Sequence, residues 1–509
     1  MIAKVNSVAT VGLNPVLIEV EVSIDSSGFP AFSIVGLPDK AVEESKERVR
    51  AAIKNSGANF PNRRITVNLA PADLPKEGPS FDLPIALGIL LASGQLVSDV
   101  SLSIFIGEIS LDGKLRSTKG VLPAAILAKE KGFKKMFVPT DNSSEACVVG
   151  EVSVYPVNTL ENLFLYLIGQ GKIEEAEKID LNDLLGESEA ETDFADIKGQ
   201  ENAKRALEIA AAGGHNILMK GPPGSGKTLL ARAFPSILPR LTIDEALGVT
   251  KIYSIAGLLS ASSPIVKSRP FRSPHHTVSR VGLIGGGSNP LPGEISLAHR
   301  GVLFLDEFSE FPRHVLESLR QPLEDGIVSI SRASGSVSYP SKFILVASQN
   351  PCPCGYAGDR KRNCVCSPGS VERYKKRVSG PMLDRIDVHV EVPSVEIERL
   401  SAKGSEDEKS SSIRKRIQKA RDLQTERFKD LPITCNAEMS VKHLKQFCPL
   451  SEENKNFLNI AGSTMNLSAR SYHRLIKVAR TLADLEGSED LLQKHFSEAM
   501  QFRFRDEER

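Results

Sequence analysis

No stretch of this 509-residue sequence approaches the ~20 consecutive apolar residues that a membrane-spanning helix needs. The longest candidate, LPIALGILLASG at 83–94, has the length of a buried helix. No secretory leader is expected either: MIAKVNSVATVGLNPVLIEVEVS has no charged start followed by a hydrophobic block and a small-residue cleavage site. Its apolar residues alternate through VLIEVEVSI, as on a strand. The expected location is therefore the cytoplasm, with no membrane partner. No one sign of charge dominates: 64 basic and 63 acidic residues leave a net charge of +1. Overall charge thus selects no partner, and only local patches can speak for nucleic acid. Cysteine is sparse outside one place. Four of the seven crowd into 352–366, while Cys147, Cys435 and Cys448 are scattered, as reduced and inert thiols of cytosolic proteins are.

What is present divides the chain. Residues 1–170 mix short β-rich runs (ITVNLAP, SIFIGEIS, KKMFVP, VSVYPV) with amphipathic helix such as AVEESKERVRAAIKNSG, and predict an α+β domain. The stretch 171–192 is acid-rich and poor in aromatics, and reads as a linker or a loosely packed connection. Over 193–395, strands with apolar bodies and polar C-terminal ends (NILMKG, GVLFLDE, KFILVASQN) predict a doubly wound α/β sheet, which binds ligands at those ends. Residues 396–509 show little strand signal and predict a helical lid domain.

GPPGSGKT, residues Gly221, Pro222, Pro223, Gly224, Ser225, Gly226, Lys227 and Thr228, fits the phosphate loop G-x-x-x-x-G-K-[ST]. Its glycines let backbone N–H groups approach phosphate oxygens, and the helix after it adds its dipole. Lys227 brings positive charge to the outer phosphates, and Thr228 can hold Mg²⁺. In LFLDEF, Asp306 ends an apolar strand and can share that Mg²⁺, while Glu307 can polarise the attacking water. An acidic pair placed there favours hydrolysis of the nucleotide over its storage. Asn350, at the end of FILVASQN, either orients water or is a turn residue before Pro351. Charge developing on the γ-phosphate calls for cations beyond Lys227, and Arg385 and Arg470 are candidates.

CPCGYAGDRKRNCVC places Cys352, Cys354, Cys364 and Cys366 as two C-x-C pairs. Four thiolates can close a tetrahedral Zn²⁺ site; buried thiols or a redox pair are the alternatives. The same region carries Arg360, Lys361, Arg362, Arg373, Lys375, Lys376 and Arg377, with Tyr374 among them. Such a patch either meets DNA phosphates, with the tyrosine stacking on a base, or is a solvated face. RSPHHTVSRVGLIGGGSNPLPGE predicts a long hairpin flanked by Arg269, Arg272, Arg280 and Arg300. On a strand, His275 and His276 point to opposite faces, which speaks against a shared metal.

Together these motifs resemble the AAA+ ATPases. RPFRSPHHTVSRVGLIGGGSNPLPGEISLAHRGVLFLDEF is similar to the magnesium-chelatase-like branch, and with NPCPCGYAGDRKRNCVCSPGSVERYKKRVSGPMLDRIDVHVEVP the chain resembles the ComM/YifB family. The resemblance implies ATP and Mg²⁺ as cofactors, Asn350 as sensor 1, Arg385 as an arginine finger reaching a neighbouring subunit and Arg470 as sensor 2. It implies a ring, six subunits being the expected number, that acts on single-stranded and branched DNA and drives branch migration during natural transformation or recombination. A magnesium-chelatase motor subunit and an ATP-dependent unfoldase or protease are the alternatives. KEGPSFDLPIALG resembles the nucleophile segment of Lon-type proteases, with Ser80 in the serine's place. Leu122 falls where the catalytic lysine belongs, and Lys119 would lie at the turn before the helix. An inactive, ribosomal S5 domain 2-like scaffold is expected, with Ser80 capping the next helix.

Overall fold

The alternation near the N-terminus becomes a strand that buries Ile18, Val20, Val22 and Ile24 on one face. In the computed structural model, residues 2–25, 29–181, 192–287, 290–332, 335–359, 362–394, 408–464 and 467–503 are described. The chain divides into two units: residues 1–185, 243–267 and 331–339, and residues 186–242, 268–330 and 340–509.

The first unit is built on β1 (Ile2–Val11), β2 (Asn14–Asp25), β3 (Ala31–Val35), β4 (Arg64–Ala70), β5 (Ser103–Phe105), β6 (Lys135–Pro139) and β7 (Ser153–Val157), in the order β3-β4-β2-β1-β5-β6-β7. β1 and β4 run antiparallel to β2, and the remaining neighbours are parallel. The apolar segment at 83–94 is indeed a buried helix, Asp82–Ala92, packed on β1 and β2. Its first residue, Asp82, is fully buried and paired with Arg48 of the helix Lys40–Asn55, Nε to Oδ2 at 2.7 Å. That second helix begins where the Asp39 side chain accepts from Val42 N.

The acidic stretch packs more closely than its composition suggests. Within its described part, 171–181, Ile173, Ala176 and Ile179 pack on the first unit's cores, and Ala176 N donates to Val154 O at 2.8 Å. Residues 182–191 lie outside the described residues.

In the second unit, β8 (Ile217–Lys220), β9 (Phe271–Arg272), β10 (Val302–Leu305), β11 (Ile344–Gln349) and β12 (Val388–Glu391) form a parallel sheet in the order β9-β10-β11-β8-β12. β8, first in sequence, is flanked by β11 and β12, so the strand order reverses around it. Ligands of doubly wound sheets bind at the carboxyl ends beside such a reversal. The C-terminal segment is helical, as expected, and shares one core with the sheet: Ile217, Phe304 and Val388 cluster with Ile413, Ile417, Leu475, Leu482 and Phe496. Among the described residues no helix is long and apolar enough to cross a membrane.

Candidate nucleotide site

Parallel register sets the site. Lys220 of β8 lies level with Gln349 of β11, and Leu305 of β10 level with Ala347. β8 and β11 therefore end level and β10 two residues earlier on the same edge, and the residues that follow them are Gly221, Asn350 and Asp306. Gly221 must be glycine, because a Cβ there would stand 2.0 Å from the Val392 carbonyl oxygen. Gly226 has φ 93°, a left-handed value that side chains disfavour. Gln200 braces the loop from outside, its amide donating to Ser225 O at 3.1 Å and Pro393 O at 2.6 Å.

Lys227 is buried over the loop and donates to the Gly221 and Pro222 carbonyls at 2.8 Å each, and to Asn350 Oδ1 at 3.3 Å. Burial draws its ammonium below the ordinary lysine range, against the opposing pull of Asp306 and Glu307. Thr228 Oγ1 donates to Asp306 Oδ2 at 2.9 Å. The other Asp306 oxygen accepts hydrogen bonds from Ser348 Oγ and, at 3.0 Å, from Glu307 N. Glu307 itself has φ 53° and a half-exposed side chain, and His276 Nδ1 stands 3.6 Å from its Oε2. A hydroxyl and a carboxylate meeting beside a glycine cradle suit Mg²⁺, which prefers hard oxygen ligands, with a nucleotide's phosphates.

Arg385 and Arg470 are brought to each other; no described contact ties either to the phosphate loop. Arg385 is buried, 4% exposed, and gives one terminal nitrogen to Pro381 O at 2.6 Å. Its other terminal nitrogen meets Glu324 Oε2 at 2.7 Å, and Arg470 meets Glu324 Oε1 at 2.8 Å. Nearby, the buried Asp387 pairs with Arg474 at 2.6 Å and takes a hydrogen bond from Asn216 N.

The four clustered cysteines also meet. Sγ separations are 3.3 Å for Cys352–Cys354, 3.7 Å for Cys352–Cys364 and 3.6 Å for Cys354–Cys364, and all four sulfurs, Cys366 included, lie within 4.8 Å. Sulfurs ~2.3 Å from a tetrahedral Zn²⁺ stand ~3.8 Å apart, so the cluster is compatible with zinc. The Tyr356 and Val365 backbone N–H groups draw the Cys354 thiol down to about 6, favouring the thiolate that a metal takes.

Several expectations are corrected. Tyr374 does not offer a stacking face; it is buried at 5% exposure, and burial pushes its hydroxyl up to about 12. Arg377 pairs with Glu310, Lys376 with Glu372, and Arg362 lies over Tyr356, while Arg360 and Lys361 lie outside the described residues. Arg269 donates to the Pro239, Arg240 and Arg300 carbonyls, Arg300 pairs with Glu438 and Arg272 with Glu294, so these three hold the fold together. Arg280 is exposed. In place of a long hairpin, the described residues form a helix, Arg280–Ile284, and a two-residue pairing of Gly285–Gly286 with Leu291–Pro292, with 288–289 outside the described residues. His275 and His276 are not on a strand, because β9 ends at Arg272 and Pro274 comes before them; their ring centroids lie 4.0 Å apart with the planes tilted by 35°. Ser80 does not cap the helix Asp82–Ala92, whose N-cap is Phe81 without a side-chain bond. Leu122 is fully buried in the helix Val121–Glu130, its N–H held by Glu145 at 2.8 Å, and Lys119 sits in the bend before that helix.

Sequence reading missed Ser348, Gln200 and Glu324, and it did not place His276 beside Glu307. Ser348 was within reach, since residues two apart on a strand face the same way and Asn350 stands two places on. Glu324 carries no local signal.

Models of three families match the chain: Magnesium chelatase, subunit ChlI, at 193–400; Subunit ChlI of Mg-chelatase at 18–142; and Magnesium chelatase, subunit ChlI C-terminal, at 407–503. The chain is 44% identical to competence protein ComM of Haemophilus influenzae, over 99% of this chain and 97% of that one. It is 41% identical to the YifB protein of Escherichia coli, over 98% and 96% respectively. The magnesium-chelatase 38 kDa subunit of Rhodobacter capsulatus is 29% identical over 31% of this chain and half of its own.

Proposed function

The chain belongs to the ComM/YifB family of magnesium-chelatase-like proteins, and from that premise we propose that it is a cytoplasmic, ring-forming ATPase that moves DNA. The observation that carries the ATPase reading is the junction of Thr228, Asp306 and Ser348 beside the Lys227–Asn350 pair. Gly221–Thr228 and Asp306 would hold ATP with Mg²⁺, which when bound would supply charge neutralisation at the phosphates. Lys227 adds a cation. Glu307, beyond the strand and half exposed, takes the proton of a water that Asn350 orients. Arg385 and Arg470 supply positive charge at a seam with the next protomer, in a ring of six.

The DNA reading draws on the competence protein to which the chain is similar along almost its whole length. The ring engages single-stranded and branched DNA and drives branch migration during natural transformation or recombination. The exposed Arg280 next to the glycine hairpin is a candidate contact. The cysteine cluster holds structural Zn²⁺ that pins its loop, and the N-terminal Lon-like domain serves as a scaffold without peptidase activity. A second reading, a motor for magnesium insertion, draws on the family models, but the Rhodobacter capsulatus magnesium-chelatase subunit aligns with 31% of this chain, against 99% for the competence protein.

The deciding measurement is ATP turnover with and without DNA, together with strand exchange on three- and four-stranded substrates. DNA should stimulate turnover, strands should move only with ATP, and Lys227→Ala should abolish both. Wild-type protein that moves neither substrate ends the proposal.

A further inference from the structure

Glu324 is the point where two residues singled out independently come together. It lies in the helix Arg320–Asp325, and each of its carboxylate oxygens meets a different guanidinium, Arg385 at 2.7 Å and Arg470 at 2.8 Å. The two arginines come from separate parts of the second unit, the loop before β12 and the helix Ala469–Glu486. Like charges that close repel, and a shared counter-ion removes the penalty.

The two partners lean on Glu324 for different reasons. Arg385 is 4% exposed, and a guanidinium buried so deeply needs a counter-charge. Its Nε has no hydrogen-bond partner among the described residues, so Glu324 and the Pro381 carbonyl fix its orientation. Arg470 is 56% exposed, and its ion pair with Glu324 ties an otherwise solvated side chain to the same carboxylate as Arg385. Partial burial alone would raise the Glu324 carboxyl, but Arg385, Arg470 and the nearby Arg474 together keep it below the ordinary range. The neighbouring Arg474–Asp387 pair holds the loop after Arg385 to the helix carrying Arg470, so the backbones on both sides of the carboxylate are already fixed.

The geometry points to Glu324 as a positioning residue that sets Arg385 and Arg470 as one paired cationic element for phosphate chemistry at the next protomer. It touches no substrate; it acts through the two arginines. The chemistry of the side chain makes this testable. A carboxylate has two acceptor oxygens, whereas glutamine has one acceptor and one donor. Glu324→Gln can therefore keep one arginine, but it turns an N–H toward the other.

The inference rests on the seam reading proposed above, so its test separates the two. Removing an arginine finger costs ~10³–10⁵ in turnover, so disturbing the element that sets it should lower kcat of the full chain at least ~10-fold. KM for ATP should stay within about twofold, because the phosphate loop is untouched. Glu324→Asp, which keeps both acceptors, should recover part of the loss. Mixing Glu324→Gln chains with Lys227→Ala chains should restore turnover, since each supplies the half-site the other lacks. Mixing Arg385→Ala with Lys227→Ala is the control. If Glu324→Gln retains kcat within about twofold of wild type, the positioning role is wrong. It is equally wrong if the control pair restores turnover and the Glu324→Gln pair does not, because the glutamate then serves folding. If neither pair restores turnover, the seam reading falls and takes this inference with it.

Discussion

Asp82→Asn tests the electrostatics of the first unit. The carboxylate is fully buried, and burial pushes it from 3.8 to about 6, although Arg48 and the Ile109 N–H pull the other way. A folded-state value above the unfolded one means that the folded chain holds the proton more tightly. The stabilisation is therefore complete below the unfolded value and is lost as pH rises through the folded one. At ~1.36 kcal/mol per pH unit, the move from 3.8 to about 6 amounts to about 3 kcal/mol. About 2 kcal/mol of it falls between pH ~4.5 and ~7.5. Asparagine does not titrate, so the variant should gain that amount on wild type across the window, on top of a constant offset for the altered Arg48 contact. Hydrogen exchange of the amides in the helix Asp82–Ala92, compared between the two proteins at each pH, reads the difference. A difference that stays flat, or that moves against the variant as pH rises, would show that Arg48 outweighs burial and refute the reasoning.

The cysteine cluster and the Lon-like domain each carry a further expected outcome. Protein purified without a histidine tag should carry close to one zinc per chain, and Cys364→Ser should lose it; metal analysis that finds wild type zinc-free removes the assignment. Casein should survive incubation with the wild-type protein, because Leu122 stands where the Lon pattern has its lysine; cleavage that disappears in Ser80→Ala would overturn this.

What could be read in the sequence was whatever a short segment determines alone. Gly221–Thr228 is a contiguous cradle, Asp306 comes directly after an apolar run, and Asn350 follows the polar end of a strand with an apolar body. Parallel register then brings them together without further instruction. Tyr374 was misjudged because its basic neighbours resemble an exposed face, while the chain turns that one side chain inward. Arg269 and Arg300 look like loop cations until the carbonyls and carboxylate they serve, drawn from other parts of the chain, are in place. Glu324 joins residues on separate elements, and no period or spacing in its own helix records them.

The first unit borrows residues 243–267 from far along the chain, and among them Ser254 donates to the buried Glu145 that holds Leu122 N. During synthesis, then, the N-terminal half cannot finish its own interior when its sheet is complete. It must wait, with that carboxylate short of a donor, until the phosphate loop has already left the ribosome. A protein cut after residue 185 would be frozen at that stage, so halves expressed separately are poor stand-ins for the whole.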